Sequence, residues 1–516
     1  DVCDKHTDRL DRPALFLENA DGKSYSVSFG ELKARSNRLA NVLRGLGVTK
    51  GDRVAMILPQ REETAIAHIA VYKLGAVALP LSVLFGPDAV EFRLSDSGAK
   101  VVISDAEHMQ MLNDIRPRLP ALETILSSEA SSGVHGFWEL LESVSDDFEA
   151  VATRSDDAAL LIYTSGTTGP PKGALNAHRC LLGNLPGFEL SQNFYPRDGD
   201  LMWTPADWAW TGGLLDALLP ALHYGVPVLG YAGGRFDPEQ ACQLMGKYAV
   251  RNAFIPPTAM KMLMQIPNLK KKYGLELRSI MSAGEQVGTE VVRWAREALG
   301  VGVNEMWGQT EFNYLVGNCS DIMPVRPGSM GKPYPGHNVE PVDASGNPLA
   351  DGEIGELAAR RDDPIFFLGY WGAEAATREK FIGEYWATGD LGYRDADGYL
   401  WFVGRTDDVI SSAGHRIGPG EIEDCLIKHE AVVQAAVIGS PDELRGEIIK
   451  AFVILADGQE PSESLARSIQ LSVKQRLAAH EYPREIEFVD ALPMTTTGKV
   501  RRIELREREI ARKRAR

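Results

Sequence analysis

At 516 residues the chain exceeds what one hydrophobic core organises and should divide into two or more domains. Its 44% hydrophobic and 24% charged residues are ordinary for a globular protein. A net charge of −16, from 55 basic and 71 acidic residues, excludes the basic face that nonspecific nucleic-acid binding needs, while local basic clusters can still hold small anions.

The cysteines, Cys3, Cys180, Cys242, Cys319 and Cys425, are scattered, odd in number and without metal-ligand spacing. They read as reduced thiols in a cytoplasmic setting. No apolar run reaches the roughly 18 residues of a membrane span; the run at 214–229 is broken by Asp216 and His223. The start at Asp1 rather than Met leaves a targeting segment open. Oligomeric state is also left open.

Up to about residue 155, strand and helix patterns alternate. Residues 29–47 have helical apolar spacing through Leu32, Leu39, Val42 and Leu43. Residues 53–59 read as a strand, 63–75 as a second amphipathic helix, 76–80 as an apolar run and 100–104 as another strand. This alternation implies a parallel, doubly wound scaffold.

An apolar run at 158–162 reads as a buried strand and feeds residues 163–173, Y-T-S-G-T-T-G-P-P-K-G. Thr164, Ser165, Gly166, Thr167, Thr168 and Gly169 follow one another without interruption. The glycines let backbone N–H groups turn towards one anion, and the hydroxyls add donors. Lys172 adds a cation, so the composition suits a polyphosphate. This is not the Walker A loop, because Pro170 and Pro171 precede Lys172 and Gly173 follows it.

Residues 204–213, T-P-A-D-W-A-W-T-G-G, carry Trp208 and Trp210, either as core or as walls of an apolar slot. Residues 282–286, S-A-G-E-Q, leave a strand-like stretch by a small-residue turn that a planar ligand could approach. In N-E-M-W-G-Q-T-E, residues 304–311, Trp307 can stack on a purine. Thr310 and Glu311 offer hard oxygens suited to phosphate and Mg²⁺. Asp390 in T-G-D can take both hydroxyls of a ribose, although that tripeptide alone reads as an Asx turn.

Residues 404–423 are rich in glycine, serine and charge, and a small α/β pattern follows. It comprises helix 419–428, strands 432–438 and 449–455, and helix 465–479. We divide the chain into 1–404, a hinge at 405–408 and a lid at 409–516. Lys499 sits in a Thr/Gly loop from which it could be delivered to a developing phosphate charge. The basic run to Arg516 reads as a solvated helix or frayed tail.

In this order and spacing the motifs resemble those of the adenylate-forming enzymes: acyl-CoA synthetases, peptide-synthetase adenylation domains and beetle luciferases. Residues 210–225, 445–453 and 482–489 look closest to medium-chain acyl-CoA synthetases, with acetyl-CoA synthetases as near relatives. The resemblance implies an α/β fold. A large N-terminal domain would hold parallel-rich sheets with helices and a smaller β subdomain, followed by a small mobile C-terminal α+β domain. It implies an AMP-forming acid–thiol ligase using ATP, Mg²⁺ and CoA. A carboxylic acid would form an acyl-adenylate, the small domain would rotate, and the CoA thiol would attack.

It further implies residue roles. Ser165 to Lys172, with Thr164 leading in, would hold the β- and γ-phosphates. Gly284, Glu285 and Gln286 would line the adenine, with Trp307 stacked on it and Gly308 and Gln309 alongside. Thr310 would touch the α-phosphate and Glu311 would bind Mg²⁺. Asp390 and Arg405 would hold the ribose. Lys499 would bridge the carboxylate and the α-phosphate, completing a catalytic set with Thr310, Glu311 and Lys172. Asp407 would be the hinge. Gly414, His415, Arg416 and Arg445 would face CoA.

Three departures stand out. Some branches carry a histidine where Trp208 stands. Ala413 replaces a serine of the medium-chain relatives. Gly308 replaces the second tryptophan of the acetate-specific enzymes, which implies a slot left open between Gly308 and the Trp208/Trp210 wall, sized for a medium-chain acid. The pattern P-x-x-x-x-G-K around Lys499 also resembles the recognition motif of lysine acetyltransferases acting on this family. Short-chain or aryl acids, and loading of a carrier protein instead of CoA, are the alternatives. A luciferase-like oxygenase and a noncatalytic nucleotide-binding regulator complete them. By spacing, the aspartate that binds an amine in peptide synthetases falls near Gly212 or Gly213, so no amine partner is evident.

Overall fold

The structure is a computed structural model. It describes residues 2–6, 10–129, 135–164, 171–406, 408–412, 415–442, 446–477, 482–495 and 499–514, without the side chains of 411, 415 and 416. The early strands form the expected parallel scaffold. Arg53–Ile57 pairs in parallel with Val77–Pro80 and Val101–Ser104, and Thr124–Ser127 extends the row. Ala158–Thr164 joins beside Val77–Pro80 and pairs antiparallel with Lys172–Ala177, so the phosphate-type loop connects two paired strands.

The helix Phe29–Gly45 begins at a reciprocal cap. The Ser28 side chain accepts from the Glu31 N–H, and the Glu31 carboxylate accepts from the Ser28 N–H. The next helix, Glu62–Lys73, is not amphipathic as expected but buried nearly all round. Ile66, Ala67, Ile69, Ala70 and Val71 belong to a core shared with Val54 and Ala78 of one sheet and Leu15 and Val228 of the other. A helix between two layers has no solvent face to keep polar.

The second sheet is parallel through Pro13–Asn19, Val228–Ala232, Met202–Trp203, Asn252–Phe254, Ser279–Ala283 and Val303–Gln309. It turns antiparallel at the hairpin with Phe312–Gly317 and continues through Ser329–Pro333, Leu400–Arg405, Tyr385–Arg394, Gly355–Arg360 and Val339–Val342. The smaller β region is therefore continuous with the parallel sheet.

The C-terminal part has its own sheet. Val432–Asp442 and Gly446–Leu455 form a long antiparallel pair, with Glu485–Phe488 added in parallel. The helices Pro419–Leu426 and Glu463–Arg476 contribute to one core, and Leu505 of the terminal helix Arg502–Arg514 to another. The terminal run, expected as a solvated helix or frayed tail, is a helix with an exposed or half-exposed surface, anchored through buried Leu505 and Glu509. Lys450, 1% exposed, donates to Glu509 at 2.7 Å and Glu487 at 2.6 Å. Burial opposes ionisation of Glu509, but bonds from Lys450, Arg512 and Ser440 hold its carboxyl down at about 2.

Candidate active site

The strand Ser279–Ala283 is wholly buried and ends at Gly284, whose φ of +96° favours glycine. A Cβ there would lie 3.2 Å from the Trp210 ring and 3.6 Å from Lys499 Cε. The lysine of the C-terminal loop therefore reaches the turn at the end of a central strand of the large sheet. Its loop is closed by Thr495 N–H donating to Lys499 O at 2.7 Å and Lys499 N–H donating to Thr495 Oγ1 at 3.0 Å. Burial lowers the Lys499 pKa, opposed by the charges of Glu285 and Asp390 and reinforced by Arg405. Glu285, raised by burial, is counteracted by Lys261, Lys499 and Arg502 and accepts from Thr258 Oγ1 at 3.1 Å.

Asp390 is the most densely bonded group of the site. Trp307 Nε1 and Gln309 Nε2 donate to its Oδ2 at 2.9 and 3.0 Å, and Arg405 donates to Oδ1 at 3.2 Å. The two strands pair so that Asp390 and Arg405 face each other in register. Burial raises the Asp390 pKa against these partners. Its own N–H donates to Thr388 Oγ1 at 3.1 Å, but the T-G-D segment is not the Asx turn its composition suggests: it lies inside the strand Tyr385–Arg394, at a register shift against Gly355–Arg360.

Thr310 and Glu311 form the turn between Val303–Gln309 and Phe312–Gly317. The Glu311 carboxylate accepts a bond from the Tyr370 hydroxyl, and Lys172 Nζ lies 5.3 Å from the Tyr370 ring centroid. Tyr370 thus joins two residues singled out from the sequence, yet it stands 59 positions from Glu311, beyond any local pattern. Among the described residues no group of three or more His, Cys, Asp or Glu could cage a metal. One carboxylate fits Mg²⁺, which keeps several waters and is held largely by substrate phosphates.

The acid side differs from expectation. Trp208 is fully buried in the core, where a Cβ on Gly230 would come within 3.0 Å of its ring. It is core and not a slot wall; Trp210, beside Gly284, is the tryptophan at the site. Gly308 does not open onto free space. A Cβ there would lie 2.9 Å from Tyr314 N and 3.1 Å from Asn313 Cα. Its φ lies outside the left-handed region, so close approach of the neighbouring strand, not conformational freedom, selects glycine.

The two parts also meet at points that the sequence reading did not anticipate. A Cβ on Gly420 would lie 2.4 Å from Gln286 Oε1. Asp424 sits over Gly288, 2.8 Å from where a Cβ would be, and accepts from the Thr289 N–H at a helix start. Ser165, Gly166, Thr167, Thr168, Gly169, Asp407, Ala413, Gly414 and Arg445 lie outside the described residues, as do the side chains of His415 and Arg416.

The profile described as AMP-binding enzyme matches residues 4–371, and that described as AMP-binding enzyme C-terminal domain matches 421–499. The chain belongs to the AMP-binding enzyme family. It is 37% identical to the acetyl-coenzyme A synthetase of Bacillus subtilis (strain 168), over 99% of this chain and 90% of that one. It is 35% identical to the mitochondrial acyl-coenzyme A synthetase ACSM4 of Homo sapiens, over 98% and 88%. Among solved structures it resembles the anthranilate CoA ligase AuaEII in complex with anthranoyl-AMP, with TM-score 0.91 and 31% identity over 99% and 97%. This AMP-binding enzyme is an acyl-CoA ligase of the AMP-forming class, which uses ATP, Mg²⁺ and CoA. Among the described residues no helix is long and apolar enough to cross a membrane.

Proposed function

We propose that the arrangement seen here is the adenylating pose of a two-step acyl-CoA synthetase, with the acid lying between Trp210, Gly284 and the 303–317 hairpin. The proximity of Lys499 to Gly284, with the charges of Glu285 and Asp390 around it, carries this reading. A carboxylate is already ionised at neutral pH and needs no base. It must approach an anionic phosphate, so catalysis is positioning plus neutralisation of charge.

In this reading Lys499 holds the attacking carboxylate against the α-phosphate, and Thr310 donates to that phosphate. Lys172 and residues 164–169 hold the outer phosphates. Asp390 and Arg405 take the ribose, Trp307 stacks on the adenine, and Gly284 to Gln286 line it. Glu311 supplies the carboxylate for Mg²⁺, whose chemistry is to offset phosphate charge. The small domain, from 409 on, then turns about 405–408 with Asp407 as pivot, removing Lys499 and bringing residues 414–416 and Arg445 to CoA. Five buried free cysteines support a cytoplasmic, reducing compartment.

Lys499→Ala tests the reading. Acid-dependent pyrophosphate release should fall by about 10²–10³-fold or more, the scale for losing one preorganised charge-stabilising donor. Transfer of a supplied acyl-AMP to CoA should continue. Equal loss in both half-reactions would make Lys499 structural instead. Acetylation by a lysine acetyltransferase would remove the same charge and should reproduce the alanine phenotype. A mass-verified Lys499-acetylated protein that keeps normal adenylation would refute this.

A further inference from the structure

The nucleotide side rests on a segment to which the reading above gives no role. Residues 367–371, F-L-G-Y-W, bond both to the strand that begins at Lys172 and to the turn at Thr310 and Glu311. On one flank, Gly369–Tyr370 pairs antiparallel with Lys172–Ala177, placing Tyr370 opposite Ala174. Leu368 and Trp371 extend that pairing, their N–H groups donating to Leu175 O and Gly173 O, each at 2.7 Å. On the other flank, Phe367 N–H donates to Glu311 O at 2.9 Å. Tyr370 completes the link with its side chain. Its hydroxyl donates to Glu311 Oε1, and Lys172 Nζ stands over its ring, 5.3 Å from the centroid. Tyr370 is itself held in place. Phe367 and Trp386 pack on its ring at centroid distances of 5.1 and 6.0 Å, and its N–H donates to Thr377 Oγ1 at 2.9 Å. Tyr370 and Glu311 are each 8% exposed.

A buried tyrosine whose hydroxyl meets the nearest acceptor is commonly just a satisfied core group. Two features point further here. The acceptor is the carboxylate of the 310–311 turn, and a bond to Oε1 fixes the carboxylate plane and so the direction of Oε2. The same ring faces the ammonium of Lys172, a contact effective within about 6 Å. One side chain therefore touches an anion and a cation that serve the same triphosphate in the reading above. Groups behind a metal-binding side chain set its orientation, and losing one weakens metal binding or activity by about 10–100-fold. We propose that Tyr370 is a positioning residue for Mg·ATP: its hydroxyl orients Glu311 for Mg²⁺ and its ring seats Lys172 for the outer phosphates. The proposal rests on the assignment of Glu311 to Mg²⁺ above.

The test is ATP binding, read by titration calorimetry with Mg²⁺ and again with EDTA. In the wild type Mg²⁺ should tighten binding, and the factor by which it does so is the readout. Tyr370→Phe keeps the ring but not the hydroxyl. Its affinity in EDTA should stay within about twofold of wild type, while the Mg²⁺ factor falls by about tenfold or more. Tyr370→Leu, which also removes the ring, should weaken ATP in EDTA by about two- to fivefold, the scale of one exposed cation–ring contact. Glu311→Gln should lose the Mg²⁺ factor, and Tyr370→Phe added to it should cost no more. A merely structural tyrosine would lower Tm and leave the factor intact; that result, with Glu311→Gln losing the factor, would overturn the proposal. A factor retained in Glu311→Gln, or absent from the wild type, would instead overturn the assignment of Glu311 to Mg²⁺, and this proposal with it. Should Tyr370→Phe fail to fold, 3-fluorotyrosine at position 370 of the otherwise native chain takes its place. Its ¹⁹F resonance should move when Mg²⁺ is added to the ATP-saturated protein, and an unmoved resonance would equally overturn the proposal.

Discussion

The nucleotide half and the acid half of this site are built differently. On the nucleotide side, Asp390 gathers Trp307, Gln309 and Arg405, and Glu311 and Lys172 share Tyr370. Most of these groups come from short contiguous strings at strand ends. On the side proposed for the acid, Trp210, Gly308 and Asn313 come singly from separate elements, each constrained by packing. Phosphates, ribose and adenine are the same for every family member, so their recognition can be fixed in motifs. An acid pocket must vary, and it does so by changing one residue at a time on a common frame.

The comparison breaks most visibly at Asp390. Asp390→Ala would leave Trp307 Nε1, Gln309 and Arg405 without their shared acceptor. Removing one partner of a buried charged pair costs roughly 3–5 kcal/mol. We expect kcat/KM for ATP to fall by about 10²–10³-fold. If the two halves are independent, the ranking of acids at saturating ATP should not change. A changed ranking would show that Asp390 also shapes the acid side.

How much was legible in the sequence follows the same division. Gly284, Trp307, Gln309, Asp390, Arg405 and Lys499 were singled out as a nucleotide set, and in the structure Asp390 bonds Trp307, Gln309 and Arg405, while Lys499 reaches Gly284. Strand and helix positions followed from periodicity. What could not be read was three-dimensional: whether a tryptophan faces core or slot, and what stands in front of a glycine's missing Cβ. Trp208 and Trp210 are two apart, yet one is fully buried and the other borders Lys499 through Gly284. The burial of Glu62–Lys73 on all sides depends on a second sheet that no local pattern announces.

Gly308 sharpens the acid half. With Tyr314 N 2.9 Å from where a Cβ would sit, even alanine must push one strand from the other. Overpacking of this kind costs about 1–3 kcal/mol. Gly308→Ala should lose activity by roughly tenfold on every acid alike, C2 to C10, with a lowered Tm; Gly308→Trp should be worse on all of them. Selective retention of acetate or propionate by Gly308→Trp would restore the open-slot reading that this packing opposes.

The smallest expected effect concerns how the two parts stay docked. Burial against Gly288 raises Asp424 from 3.8 to about 6; Lys261, Lys428 and the Thr289 N–H oppose this, and Glu423 adds to it. Glu305, buried beneath the same loop at about 8 and raised further by Asp424, faces it from the large domain. In the proposed rotation of the small domain, Asp424 would regain water and its ordinary value. The docked pose therefore binds the extra proton. Its contribution is fully present below about 3.8 and is lost as pH rises through about 6, above which the ionised carboxylate opposes docking. Asp424→Asn removes that opposition while keeping an acceptor for the Thr289 N–H. A fluorophore pair across the two domains should report the docked pose a few-fold more populated in the variant at pH 7.5, with the difference shrinking towards pH 4–5. Glu305 leaves a residual slope of the same sign in Asp424→Asn, because its carboxyl is also raised. Superimposable pH curves for wild type and Asp424→Asn would mean that Asp424 keeps its environment in both poses, and that the contact over Gly288 does not open when the lid turns.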